Sequence, residues 1–139
     1  MRVSVKILLW AGLAAVLFAF TVSATAQGNH FNKKGNTLIT DSNNNRILEV
    51  TSGGKIVFKY VTNTRPGSVA QPLPTRAVRL ANGNTLISDQ FNDQVIEIDP
   101  SGNIVFSQGM IGVVGNGFNE LNAPYDAKVV GDYTGLTPP

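Results

Sequence analysis

Cysteine is absent from this sequence, and tryptophan and histidine each occur once. Without a thiol there is no disulfide staple, no cysteine nucleophile, no lipid-bearing cysteine and no thiolate-held zinc or iron–sulfur centre. The one histidine, His30, lies close to the start of the processed chain, so a Ser–His–acid triad would rest on a base in a frayed segment. The one tryptophan, Trp10, falls in an apolar run before it. Helical periodicity is also missing: beyond residue 26 no stretch repeats apolar residues at the spacing of a packed helix. Charge is sparse, with eleven Lys and Arg against nine Asp and Glu.

The start of the chain reads as an export leader. Arg2 and Lys6 precede the uncharged run ILLWAGLAAVLFAFTV, and Ser23-Ala24-Thr25-Ala26 supplies the small residues of a cleavage site. The apolar run is shorter than the ~20 residues that span a bilayer, so a stable membrane anchor is not expected. Cleavage near Ala26 delivers a periplasmic or secreted protein. Arg2 and Lys6 leave with the leader, so nine basic residues face nine acidic ones and the mature chain is formally neutral. It has no basic stripe, which argues against nucleic acid or an anionic membrane as partner.

What the sequence has instead is an echo. GNTLITDSNNNRILEV at 35–50 returns as GNTLISDQFNDQVIEI at 83–98, and 35–60 aligns with 83–108 without gaps at about half identity. Asp41 recurs as Asp89, Asn44 as Asn92, Glu49 as Glu97, and Ile56-Val57-Phe58 as Ile104-Val105-Phe106. A unit of roughly 40–50 residues is the scale of a propeller blade or of some helical repeats. The alternation in Leu48-Glu49-Val50 and Ile96-Glu97-Ile98 decides for strands with one face buried. Turn residues punctuate these runs: Gly-Asn before, Ser-Asn-Asn-Asn between, Pro-Ser-Gly-Asn after. Each unit reads as a three-strand meander, at 85–88, 94–99 and 103–107 in the second copy.

A fourth strand precedes the meander. Ala77-Val78-Arg79-Leu80 follows Pro74, and Ala127-Lys128-Val129-Val130 follows Pro124. Four-stranded sheets at this spacing are propeller blades, and each buries its faces only against a neighbour. The expected fold is therefore all-β: an incomplete β-propeller of about two four-stranded blades plus the first strand of a third. The expected divisions are a leader at 1–26, a first blade at 27–60 with a weak first strand near 29–32, a second blade at 61–108 behind a long loop, and an interblade segment with the start of a third blade at 109–139.

Asp41-Ser42-Asn43-Asn44-Asn45-Arg46-Ile47 resembles the signature turn of NHL repeats, in which an Asp closes one strand and an Asn-rich turn leads to Arg and an aliphatic. Gly115-Asn116-Gly117-Phe118-Asn119-Glu120, followed by Pro124, is similar to the segment joining successive NHL blades. Phrases close to GNTLISD and VIEIDPSGNIVF also occur in quinoprotein-like and arylsulfotransferase-like propellers. The second copy has Gln94 where the first has Arg46, so the NHL turn is half kept. Closed propellers need roughly four to eight blades. Either the sequence is a piece of a longer propeller, without function of its own, or several chains close a ring as a homo-oligomer. In the second case the strand at 127–130 completes the first blade of the next chain.

Candidate chemistry is thin. Asp41-x-Asn43-x-Asn45 imitates the start of a calcium loop, but Arg46 and Ser52 occupy the positions that need Gly and a bidentate Glu. A hairpin turn held by Asx hydrogen bonds fits better, and Asp89-Gln90-Phe91-Asn92-Asp93 reads the same way. Glu49 and Glu97 read as solvated positions, Phe58 and Phe106 as interblade core. Positions that break the repeat open the innermost strands: Thr75-Arg76 in one blade and Tyr125-Asp126 in the next. In a propeller these line the channel mouth. Arg76 is suited to clamp an anion, and Asp126 to hold a cation. Otherwise the two pair as a structural bridge. The long connections 61–74 and 109–123 are placed to build a binding face.

The sequence thus points to an exported binding or scaffold module. Arg76, Tyr125 and Asp126 are its ligand-contacting residues, a protein, peptide or glycan its partner, and no cofactor or catalytic residue is expected. The competing reading is enzymatic: a metal-dependent lactonase-like hydrolase or an arylsulfotransferase-like propeller, with Asp126 and Arg76 at the channel. The latter chemistry implies channel histidines, and quinoproteins imply blade-docking tryptophans; the mature sequence supplies neither.

Overall fold

The computed structural model describes residues 30–132, so the leader assigned to 1–26 lies outside the described residues. Seven strands form two antiparallel sheets. β1 (Thr37–Asp41), β2 (Arg46–Val50) and β3 (Ile56–Val61) make the first, in the order β1-β2-β3. β4 (Arg76–Arg79), β5 (Thr85–Asp89), β6 (Gln94–Ile98) and β7 (Ile104–Gln108) make the second, in the order β4-β5-β6-β7. Both are meanders, in which each strand pairs with its chain neighbour. The expected all-β, blade-like architecture is what the chain adopts.

The echo in the sequence is an echo in atomic detail. Asp41 and Asp89 end β1 and β5, and a three-residue 3-10 turn follows each: Ser42–Asn44 and Gln90–Asn92. Asn45 and Asp93 then reverse the chain in the left-handed region, at φ 52° and 53°. Short polar side chains tolerate that conformation because they bond to nearby backbone. A β-bulge falls at the same place in both sheets, between Glu49 and Val50 and between Glu97 and Ile98.

The same turns anchor the long connections. Asn45 Oδ1 accepts the Leu73 amide at 3.1 Å, and its Nδ2 donates to Gln71 Oε1 at 3.0 Å. One repeat later, Asp93 Oδ1 accepts the Ala123 amide at 2.9 Å. Each connection is thereby fastened back onto the turn of the sheet it leaves.

The two sheets pack face to face, as adjacent propeller blades do. Ile47, Phe58 and Tyr60 of the first sheet meet Ile87, Ile96 and Ile98 of the second in one buried cluster. The strand alternation sends Val78, Leu80 and Leu86 to the opposite face of the second sheet, where Val95 and Ala127 pack on them. β5 is buried along its whole length, whereas β7 is exposed throughout.

Three details depart from the sequence reading. Phe58 is core, but Phe106 at the matching position is 49% exposed, because no further sheet covers it among the described residues. Residues 30–32 form a tight turn, not a strand, so among the described residues the first sheet has three strands. Phe31 in that turn packs on Phe58 with ring centroids 5.4 Å apart. Residues 127–130 carry only an isolated bridge between Val129 and Asp132.

Candidate functional site

Sequence alternation placed Glu49 on a solvated face. The structure corrects this: Glu49 is 3% exposed. Its Oε1 accepts from the Asn32 amide at 2.6 Å and from Asn36 Nδ2 at 2.5 Å, and its Oε2 pairs with Arg79 at 2.7 Å. Alternation tells which face a residue takes, not what lies over that face; here β4 and the turn before β1 cover it. Glu97, in the matching position, is half-buried and accepts from Asn84 Nδ2 at 2.6 Å.

Arg79 closes this clamp. Its guanidinium stands 4.2 Å from the Phe31 ring centroid and 4.9 Å from that of Phe58, and it donates to Thr85 Oγ1 at 2.7 Å. Burial lowers its pKa, and Glu49 opposes that shift. An arginine stays cationic under such pressure, so the group is a buried ion pair stacked on two aromatic rings.

The Asn-rich turns carry further paired charges. Asp41 accepts from Asn44 Nδ2 at 2.9 and 3.1 Å and from Arg46 Nε at 2.7 Å. Arg46 and Asn44 hold its carboxyl below the usual carboxylate range. In the second turn Gln94 stands where Arg46 stood, yet a guanidinium is still present. Arg65 reaches in from the connection after β3, pairs with Asp89, and donates to Gln94 Oε1 at 2.7 Å. Alignment of the repeats misses Arg65 because it enters from outside the aligned unit. Burial raises the Asp89 carboxyl above its ordinary value, against the opposing pulls of Asn92, Arg65 and Thr62. Among the described residues, no group of three or more His, Asp or Glu stands together as a metal site. His30 is exposed, and its backbone carbonyl accepts from Asn36 Nδ2 at 2.6 Å.

The sequence-selected residues Arg76, Tyr125 and Asp126 do come together. Arg76 Nε pairs with Asp126 Oδ1 at 2.8 Å, and Lys128 Nζ lies 3.7 Å from Asp126 Oδ2. The bridge foreseen as the structural alternative is thus formed, and it stays solvent-accessible, with the side chains 45% and 38% exposed. Thr75 Oγ1 donates to the Tyr125 carbonyl at 2.6 Å, tying the two chain segments together. That contact holds the Tyr125 backbone while its side chain projects; the residue is 72% exposed. The result is a row of alternating charges, Arg76, Asp126 and Lys128, with the exposed Tyr125 next in the chain to Asp126. A second feature lies on the other side of β4. A groove of about 300 Å³ runs between β4 and β1, lined by Lys33, Lys34, Asn36, Leu38 and Glu49 together with β4.

No protein-family model and no curated protein matches the chain. Among solved structures, virginiamycin B lyase from Staphylococcus aureus is similar at 24% identity, over 58% of this chain and 25% of that one, with a TM-score of 0.43. The chain therefore spans about a quarter of that protein's length.

Proposed function

We propose that this chain is an exported, NHL-like propeller module that binds a protein, peptide or glycan at the mouth formed by Arg76, Tyr125 and Asp126. The exposed Tyr125 side chain and the solvent-accessible Arg76–Asp126 pair, carried on neighbouring residues, support this reading. A tyrosine offers a flat apolar face with a hydroxyl at its rim, and it loses little rotamer entropy on contact. Such a ring stacks on a sugar or packs on a side chain, while Arg76 and Asp126 supply donors and acceptors for hydroxyls, amides or carboxylates. The charges are already paired, so a neutral polar ligand exchanges with them at little electrostatic cost. Elsewhere Glu49, Arg79, Asp41 and Arg46 are committed to internal partners.

The test is a screen of the purified chain against a glycan array and a displayed peptide library. Each binder found is then titrated against Tyr125→Ala and Arg76→Ala. Loss of about 1 kcal/mol or more in either variant is the expected result, the size at which an interface residue counts as contributing. Binders indifferent to both substitutions, or a screen with none, would remove the reading.

A further inference from the structure

We propose that a second copy of this chain docks head to tail on the first sheet, with its residues 124–130 added as a strand along the open edge of β1. This goes beyond the ligand-binding reading and holds whether or not the mouth binds anything.

The observation behind it is a pair of complementary gaps. Among the described residues β1 pairs only with β2, and its other edge faces the groove of about 300 Å³. In the second sheet the same edge, that of β5, is occupied by β4. So the molecule itself shows what fills this position. β4 is entered through Pro74-Thr75-Arg76-Ala77-Val78, and only 124–128 repeats that pattern of proline, two variable residues, alanine and a further residue before an apolar end. Residues 124–130 have the composition of an inner strand but hold no ladder partner among the described residues.

Their position fits as well as their sequence. Ala127 lies on the Val78, Leu80 and Leu86 cluster, on the face of the second sheet turned away from the first. β4 stands in the same relation to the first sheet. A copy whose β1 edge met residues 127–129 would therefore lay its first sheet over this face. The surfaces brought together are apolar at matching repeat positions. Phe106 is 49% exposed on one side and Ile39 is 37% exposed on the other. Phe58 and Ile87 fill the equivalent places in the buried interface within one chain. The register follows from β4 on β5, where Ala77 pairs with Ile87 and Val78 with Leu86. It sets Ala127 opposite Ile39 and Lys128 opposite Leu38 of the second copy. Such a contact joins two different surfaces, so it propagates until a ring closes. A ring of about four to eight blades corresponds to roughly two to four copies.

The chain's lack of cysteine makes a direct test clean. Ala77 and Ile87 form a non-hydrogen-bonded pair, because the Leu80 amide bonds to the Asn84 carbonyl three positions along the ladder and the two pair types alternate. Such pairs hold Cα atoms about 4.5 Å apart, within disulfide range. The full chain carrying Ile39→Cys and Ala127→Cys together is expected to give a ladder of disulfide-linked species on mild oxidation, and neither single variant should. Sedimentation of the unmodified chain should give a discrete oligomer. Lys128→Pro removes the amide equivalent to that of Val78 and lies outside both sheets, so it should leave the circular dichroism unchanged and return the chain to monomer. A monomeric unmodified chain, a double variant that forms no ladder, or an oligomer indifferent to Lys128→Pro would each overturn the proposal. The first of these outcomes would assign the β1 edge to some other strand.

Discussion

Two side chains decide whether the sheets stay together at the residue scale. Glu49 is buried and Arg79 largely so, and each is the other's charge partner. Removing one leaves the other desolvated and alone, which costs about 3–5 kcal/mol. Glu49→Ala should lower stability by that amount in urea unfolding. Arg79→Lys should cost nearly as much, because an ammonium cannot stack between Phe31 and Phe58 while also serving Glu49 and Thr85. A loss below about 1 kcal/mol for Glu49→Ala would mean that water reaches the pair. Acid sensitivity has a different source. Asn103 and the amides of the following turn hold the exposed Asp99 carboxyl below its ordinary value. A carboxylate with a depressed folded-state pKa contributes stability above its unfolded pKa and loses it as pH falls through the folded one. Asp99→Asn should therefore flatten the acid limb of the stability curve. Asp89 has the opposite sign: burial raises its pKa, so protonation relieves a cost as pH falls.

At the scale of the element, the strands were legible and the polar anchors were not. Alternation placed β5, β6 and β7 to within a residue at most ends, because a half-buried strand writes a period of two into its own sequence. Nothing comparable announces a partner that arrives from elsewhere. Arg65 serves the turn of the next sheet from a connection outside the repeat, and Glu49 meets Arg79 thirty positions later. Likewise Arg76 and Asp126 were selected as a pair of sites, and the sequence left open whether they bridge. Gly109, which follows β7, shows how tightly these connections are held. It has φ +89°, and a Cβ there would lie 2.1 Å from the Asp93 carbonyl oxygen. Gly109→Ala should cost at least ~1–3 kcal/mol, the usual penalty for forcing an alanine into such a conformation. Thermal unfolding of that variant reads the cost directly, and an unchanged midpoint would show that the segment can shift.

For the whole molecule, the shared core implies a single unfolding event. Among the described residues, Ile47, Phe58 and Tyr60 find their buried apolar cover in Ile87, Ile96 and Ile98. Phe58→Ala should cost about 3–5 kcal/mol and lower hydrogen-exchange protection in β5 and β6 as much as in β2 and β3. Protection lost from the first sheet alone would show two independent units. The repeat made this packing foreseeable in outline, since a lone meander cannot cover both of its faces. It did not reveal the three-stranded first sheet, because residues 30–32 turn too tightly to join it.

The displacement of one guanidinium from 46 to 65 bears on how the molecule can be cut and recombined. The first unit carries its own arginine; the second borrows one from the linker ahead of it. The units are consequently not interchangeable cassettes. A designer who excises the second at Gly83, where the homology starts, strands Asp89 without its cation. The natural seam lies upstream, before Arg65, so ancestry and mechanical modularity divide this polypeptide at different points.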